Sequence, residues 1–157
     1  MLDEHNTRLP PPANWQDFEG LCLDLLGEIY GVDQVQKYGR SGQGQSGIDI
    51  IIGPDPKNDW IGVQCKKKDV YPEKYLREGE VQREVTNATA FKPTISQYII
   101  VTSAPRDKKI QDLAMEITER HRGEGKFSVK IWSWDDIEEL LRKTPAVLKR
   151  WYRPYQI

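Results

Sequence analysis

The sequence predicts an α/β fold, a mixed β-sheet flanked by helices on both faces, and three observations carry that prediction. Stretches with helical apolar spacing alternate with short β-rich runs along the chain. Residues 97–102 (QYIIVT) read as a buried strand, and a turn at residues 55–59 joins two further runs into an antiparallel hairpin.

The elements follow in order. Residues 1–13 form a polar, Pro-rich leader expected to be flexible. Asn14 then serves as an N-cap with Asp17 three residues on, and Trp15, Phe18, Cys22, Leu25, Leu26 and Ile29 recur at helical spacing until Gly31. Residues 32–38 read as a short strand. Residues 39–47 hold so many glycines that no regular element survives there, which makes them a loop. Residues 48–52 are an apolar strand ending at Gly53-Pro54, and residues 60–66 are its hairpin partner. Residues 72–91 are rich in Glu, Lys, Leu and Arg and read as a helix that Gly79 can break. After the strand at 97–102 come a helix over 108–121, with Ile110, Leu113, Ala114 and Ile117 on one side, and a strand over 127–134. A short helix with an acidic start, residues 135–142, completes the order. Residues 14–143 are expected to form one domain, with 144–157 a tail or a linker to a further domain.

Composition narrows the function classes. A chain of 157 residues that is 38% hydrophobic can close one core without disulfides or a structural metal. The formal net charge of −1, from 23 Lys+Arg against 24 Asp+Glu, carries no global signature of a polyanionic partner. Local patterning must carry any such claim, and Lys66, Lys67 and Lys68 are consecutive. No apolar run approaches the roughly 20 residues that cross a bilayer, and the first residues lack the layout of a signal peptide, so a cytoplasmic protein without membrane contact is expected. Cys22 and Cys65 sit among apolar neighbours and read as buried free thiols. His5 and His121 have no metal-ligand spacing and read as solvated. Trp132, Trp134, Trp151 and Tyr152 read as packing residues rather than base-stacking platforms.

The hairpin holds the candidate chemistry. Strand alternation puts Gln64 and Lys66 on one face, expected to be polar, and Ile61, Val63 and Cys65 on the other, expected to be core. Asp49, near the start of the preceding strand, can reach Gln64 and Lys66 once the two strands pair. A carboxylate and an amide oxygen suit a hard divalent cation such as Mg²⁺ and leave positions for water and phosphate. Lys66 can then orient that water or offset charge on the transition state. Glu19, next to the core residue Phe18, can bring a further oxygen from the first helix. The glycine-rich loop lacks the Gly-Lys-Ser/Thr ending of a phosphate cradle and leads into a strand, so nucleotide binding is set aside. Arg40, Gln43 and Gln45 in that loop, with Lys67 and Lys68, are instead expected to contact nucleic acid. Ser41 and Ser46 have no His and Asp arranged nearby, which removes nucleophilic catalysis.

Phe18-Glu19, Gly47-Ile48-Asp49 and Val63-Gln64-Cys65-Lys66, in that order, resemble the Mrr-type branch of the PD-(D/E)xK nucleases, where glutamine commonly replaces the acid of the third motif. The resemblance implies a restriction-endonuclease-like fold and a metal-dependent endonuclease. Its catalytic residues would be Asp49, Gln64, Lys66 and Glu19, with Asp49, Gln64 and Glu19 around Mg²⁺, for which Mn²⁺ substitutes. It also implies DNA, double-stranded, as substrate, and a role as an effector domain of a bacterial anti-phage protein that forms a homo-oligomer or carries further domains. Gln64 brings no negative charge, a deficit that Glu19 can offset. The competing reading is a non-catalytic nucleic-acid-binding or assembly module on the same fold, and RNA cleavage is a third.

Overall fold

Asn14 starts the first helix as its spacing predicts: its side-chain oxygen accepts the Asp17 N–H at 2.8 Å, and α1 runs Trp15–Tyr30. In the computed structural model, which describes residues 8–39, 47–70 and 74–153, a single 3₁₀ turn at Val32–Gln34 separates α1 from β1 (Val35–Lys37). The expected strand over 32–38 is therefore shorter at its start. β2 (Ile50–Ile52) and β3 (Trp60–Lys66) form the hairpin, followed by α2 (Glu78–Ala88), β4 (Ile95–Thr102), α3 (Lys108–Glu124) and β5 (Ser128–Trp132). Two helices close the chain, α4 (Trp134–Arg142) and α5 (Pro145–Trp151).

The five strands lie in the order β1-β2-β3-β4-β5. β1, β2 and β3 pair antiparallel, whereas β3, β4 and β5 are parallel because α2 and α3 carry the chain back between them. The sheet is thus mixed and has two apolar faces, each with its own helices. On one face Ile50, Ile52, Val63, Ile99 and Val101 pack against α1, α4 and α5; on the other Ile51, Tyr98 and Ile100 pack against α2 and α3. This is the α/β arrangement the sequence predicts.

Several local expectations change for reasons that lie far away in sequence. The helix expected over 72–91 begins only at Glu78, where Glu80 accepts the Arg77 N–H at 3.1 Å; Gly79 sits in that first turn and does not break it. β5 stops at Trp132 because Ser133 caps α4, donating through both its N–H and its hydroxyl to Asp136 Oδ2 at 2.9 Å. His121 is buried rather than solvated: its Nδ1 lies 2.8 Å from the Phe127 carbonyl and its ring meets Phe127 edge-on. Within the leader, Leu9 is buried; its N–H donates to Glu138 Oε2 at 2.8 Å and its carbonyl accepts from Trp134 Nε1 at 2.8 Å. In the stretch after residue 143, α5 buries Val147, and Trp151 Nε1 donates to Asp24 Oδ2 at 2.9 Å. Among the described residues no helix is long and apolar enough to cross a membrane.

Candidate active site

The site forms where β2 gives way to the loop before it. Pairing of β2 with β3 ends at Ile50 opposite Val63. Past that register a side chain takes over as acceptor: Asp49 Oδ2 receives the Cys65 N–H at 2.9 Å. The backbone of Asp49 is held as well, its N–H donating to the Val63 carbonyl and its own carbonyl accepting the Tyr38 N–H, both at 2.7 Å. These bonds fix the carboxylate against β3 at the residue between Gln64 and Lys66, where hairpin geometry is expected to bring it.

Lys66 and Gln64 lie on the β3 face that the sequence marks as polar. That face is not fully open. α2 lies over part of it, and the Lys66 ammonium, itself partly exposed, lies 3.1 Å from the buried carboxylate of Glu84 on that helix. Gln64 Oε1 is buried with no hydrogen-bond partner among the described residues. A carbonyl left so costs roughly 1–3 kcal/mol, which an oxygen-seeking cation or a water can recover. Ile61, Val63 and Cys65 face the α1 core as expected.

Glu19 approaches from α1, partly buried, with Oε1 3.6 Å from Lys37 Nζ on β1. Asp49 therefore feels charges from both faces of the sheet. Burial is the largest influence and raises its carboxyl above the ordinary carboxylate value; Glu19 and Glu84 push the same way, while the Cys65 N–H and Lys66 pull back. A pocket with that excess of negative character favours a cation. Both cysteines are free; Cys22 is buried as expected, whereas Cys65 is only partly buried, and its contact with Cys22 together with burial pushes its thiol well up.

Of the residues expected to touch nucleic acid, Arg40, Gln43 and Gln45 lie outside the described residues. The Lys67 ammonium stands 3.9 Å from Asp69. Lys68 has a closer internal partner, Glu80 Oε2 at 2.6 Å, and its N–H donates to Ser103 Oγ at 2.6 Å.

Sequence reasoning missed Glu84 and Glu80. The signal is present but relational: two acids one helical turn apart on α2, about 6 Å of rise, face two lysines two residues apart, Lys66 at the end of β3 and Lys68 just past it, at most about 6.6 Å apart along an extended chain. Gly47, which leads into Asp49, has its reason in the same contact. Its φ is +68°, and a Cβ there would lie 2.9 Å from the Glu84 carbonyl oxygen and 3.3 Å from Glu84 Oε2. The Tyr98 hydroxyl donates to the Gly47 carbonyl from the sheet below. The loop entering Asp49 is thereby pressed between β4 and α2.

No curated protein and no solved structure matches the chain. The sequence does match Mrr_cat, a restriction endonuclease family, over residues 12–141, a span that holds Glu19, Asp49, Gln64, Lys66 and Glu84. With that match and the mixed sheet in place, the chain belongs to the Mrr-like restriction endonucleases of the PD-(D/E)xK nuclease class.

Proposed function

We propose that this domain is a metal-dependent endonuclease that cuts the phosphodiester bonds of double-stranded DNA, with Asp49, Gln64, Lys66 and Glu19 as its catalytic set. The observation that carries the reading is the Asp49 carboxylate fastened to the Cys65 N–H, between the two residues whose side chains the reaction needs. Membership of a restriction endonuclease family supports it.

Asp49, Gln64 and Glu19 would hold Mg²⁺ or Mn²⁺. The set is all oxygen, as a hard divalent cation requires, and the unpartnered Gln64 oxygen and the raised Asp49 carboxyl would both be relieved by positive charge. Among the described residues no three His, Cys, Asp or Glu side chains make a metal cluster by themselves; the Gln64 amide oxygen and water would complete the shell. A bound ion supplies an acidified water and polarises the scissile phosphate. Asp49 contributes orientation: the Cys65 N–H holds one carboxylate oxygen and fixes the direction of the other. Lys66 brings positive charge to the phosphate as negative charge builds in the transition state. Lys37 pairs with Glu19 at 3.6 Å and offsets part of its charge.

Arg40, Gln43, Gln45, Lys67 and Lys68 are proposed to contact the DNA backbone or bases. A net charge of −1 gives an isolated domain modest non-specific affinity, which suits a chain that works as a homo-oligomer or beside further domains. On the family resemblance, the setting proposed is an effector domain of a bacterial anti-phage protein.

The test is incubation with supercoiled plasmid, linear duplex and RNA in Mg²⁺, Mn²⁺ or EDTA, with Lys66→Ala alongside. Duplex cleavage that needs the metal and fails in Lys66→Ala is expected. Binding without cleavage in every condition, even when the chain is fused to an oligomerising partner, would leave the non-catalytic module as the correct reading, and cleavage of RNA alone would correct the substrate.

A further inference from the structure

We propose that Glu84 is a positioning residue of this site: its carboxylate holds the Lys66 ammonium, and its helix holds the loop that carries Asp49, so that the two motif segments keep one mutual arrangement. The proposal rests on the nuclease reading and adds a residue that none of the sequence motifs contains.

Three observations support it. Glu84 is 7% exposed, and a carboxylate so buried needs a charged partner; Lys66, at 3.1 Å, is that partner. The same residue also presses on the other motif segment, because its carbonyl and carboxylate oxygens fill the space a Cβ would need at Gly47, two residues before Asp49. Finally, Glu80 and Lys68 repeat the pairing at 2.6 Å one helical turn away, which ties α2 to the segment just after β3 and helps place the Glu84 side chain. Lysine is a long, flexible side chain. Holding its head group removes the freedom that would otherwise have to be lost at the moment of reaction.

Glu84 touches no substrate in this scheme, so the effect must appear in the chemical step and not in binding. The experiment compares the unsubstituted chain with Glu84→Gln, Glu84→Asp and Glu84→Ala in three measurements: single-turnover duplex cleavage in Mg²⁺ at saturating protein, duplex affinity in EDTA, and melting temperature. Glu84→Gln, which keeps the shape and removes the charge, is expected to slow cleavage about 10- to 100-fold, with affinity nearly unchanged and the protein, though it melts lower, still fully folded at the assay temperature. Glu84→Asp should recover part of the rate because it restores the charge at a shorter reach.

Cleavage by Glu84→Gln within about two-fold of the unsubstituted rate overturns the proposal. So does a loss that tracks unfolding of Glu84→Gln. Faster cleavage by Glu84→Gln overturns it too, and would make Glu84 a restraint on Lys66. Should Glu84→Ala fail to fold, Glu84→Gln alone decides. If the unsubstituted chain does not cleave, the nuclease reading falls and takes this proposal with it, an outcome distinct from failure of the variants.

Discussion

β3 and β4 are neighbours in one sheet, paired in parallel from Ile61 opposite Gln97 to Lys66 opposite Thr102. β4 is apolar on both sides: Ile99 and Val101 face the α1 core, Tyr98 and Ile100 the α2–α3 core. β3 is apolar on its α1 side, and on the other side only at its first residue, Trp60, which packs against the α2–α3 core. Its other side presents Gly62, Gln64 and Lys66, although it is just as central. The difference lies in what covers them. α3 meets the sheet with Ile110, Leu113, Ala114 and Ile117, while α2 brings Glu80 and Glu84 along with Val81 and Val85. A central strand keeps a largely buried lysine where its covering helix supplies the partner, and the candidate site, with the Gln64 oxygen left for a ligand, grows at that point.

Substitutions can break this contrast. Ile99→Ala in β4 should destabilise the fold by about 2–5 kcal/mol, read by denaturant unfolding, while the protein that stays folded keeps its cleavage rate. A smaller loss, about 1–3 kcal/mol, is expected for Gly47→Ala, which meets both the positive φ and the Glu84 carbonyl. That variant should also cleave more slowly because α2 must shift. An unchanged melting curve for it would mean that α2 does not press on the loop.

Lys68→Ala should cost under ~1 kcal/mol, since the pair is partly solvent-screened. Burial raises the Glu80 carboxyl, but the Lys68 hydrogen bond and the Arg77 N–H outweigh it and leave the group below its ordinary value. A depressed carboxyl stabilises the fold above its unfolded pKa and loses that contribution as pH falls through the folded one. The two chains should therefore converge in stability in acid. Asp49 behaves in the opposite sense. Its raised carboxyl favours the protonated form, a contribution present below the unfolded pKa and lost as pH rises through the folded one. In EDTA at neutral pH, Asp49→Asn should then melt slightly higher than the unsubstituted chain, and the gain should fade as pH is lowered. Mg²⁺ should raise the melting temperature of the unsubstituted chain and leave Asp49→Asn unmoved.

What was legible in the sequence was local. Asn14 and Asp17 announce α1 because a cap is a contact across three residues, and the alternation of Val63, Gln64, Cys65 and Lys66 states which side chains share a face. The mixed sheet follows from the order of such elements. What escaped was tertiary. α5 is seven residues long and is held by Trp151 on Asp24 and Tyr152 on Pro10, partners more than a hundred residues away. Leu9 joins the core through Glu138 and Trp134. His121 is buried only because the chain turns at Gly125 and brings Phe127 back over it. Glu84 escaped for a related reason: its place depends on the rotation of α2 above the sheet, which apolar spacing constrains but does not fix to one side chain.

The central claim is that Asp49 and Lys66 serve the chemical step. The most direct measurement follows cleavage and duplex affinity side by side for Asp49→Ala and Lys66→Ala, with Mg²⁺ present for the first and EDTA for the second. Both variants should lose cleavage while duplex affinity largely survives, because one contact among many carries little of the binding but a group used in the transition state carries the reaction. Cleavage that persists in either variant, or affinity that falls in step with the rate, would contradict the account.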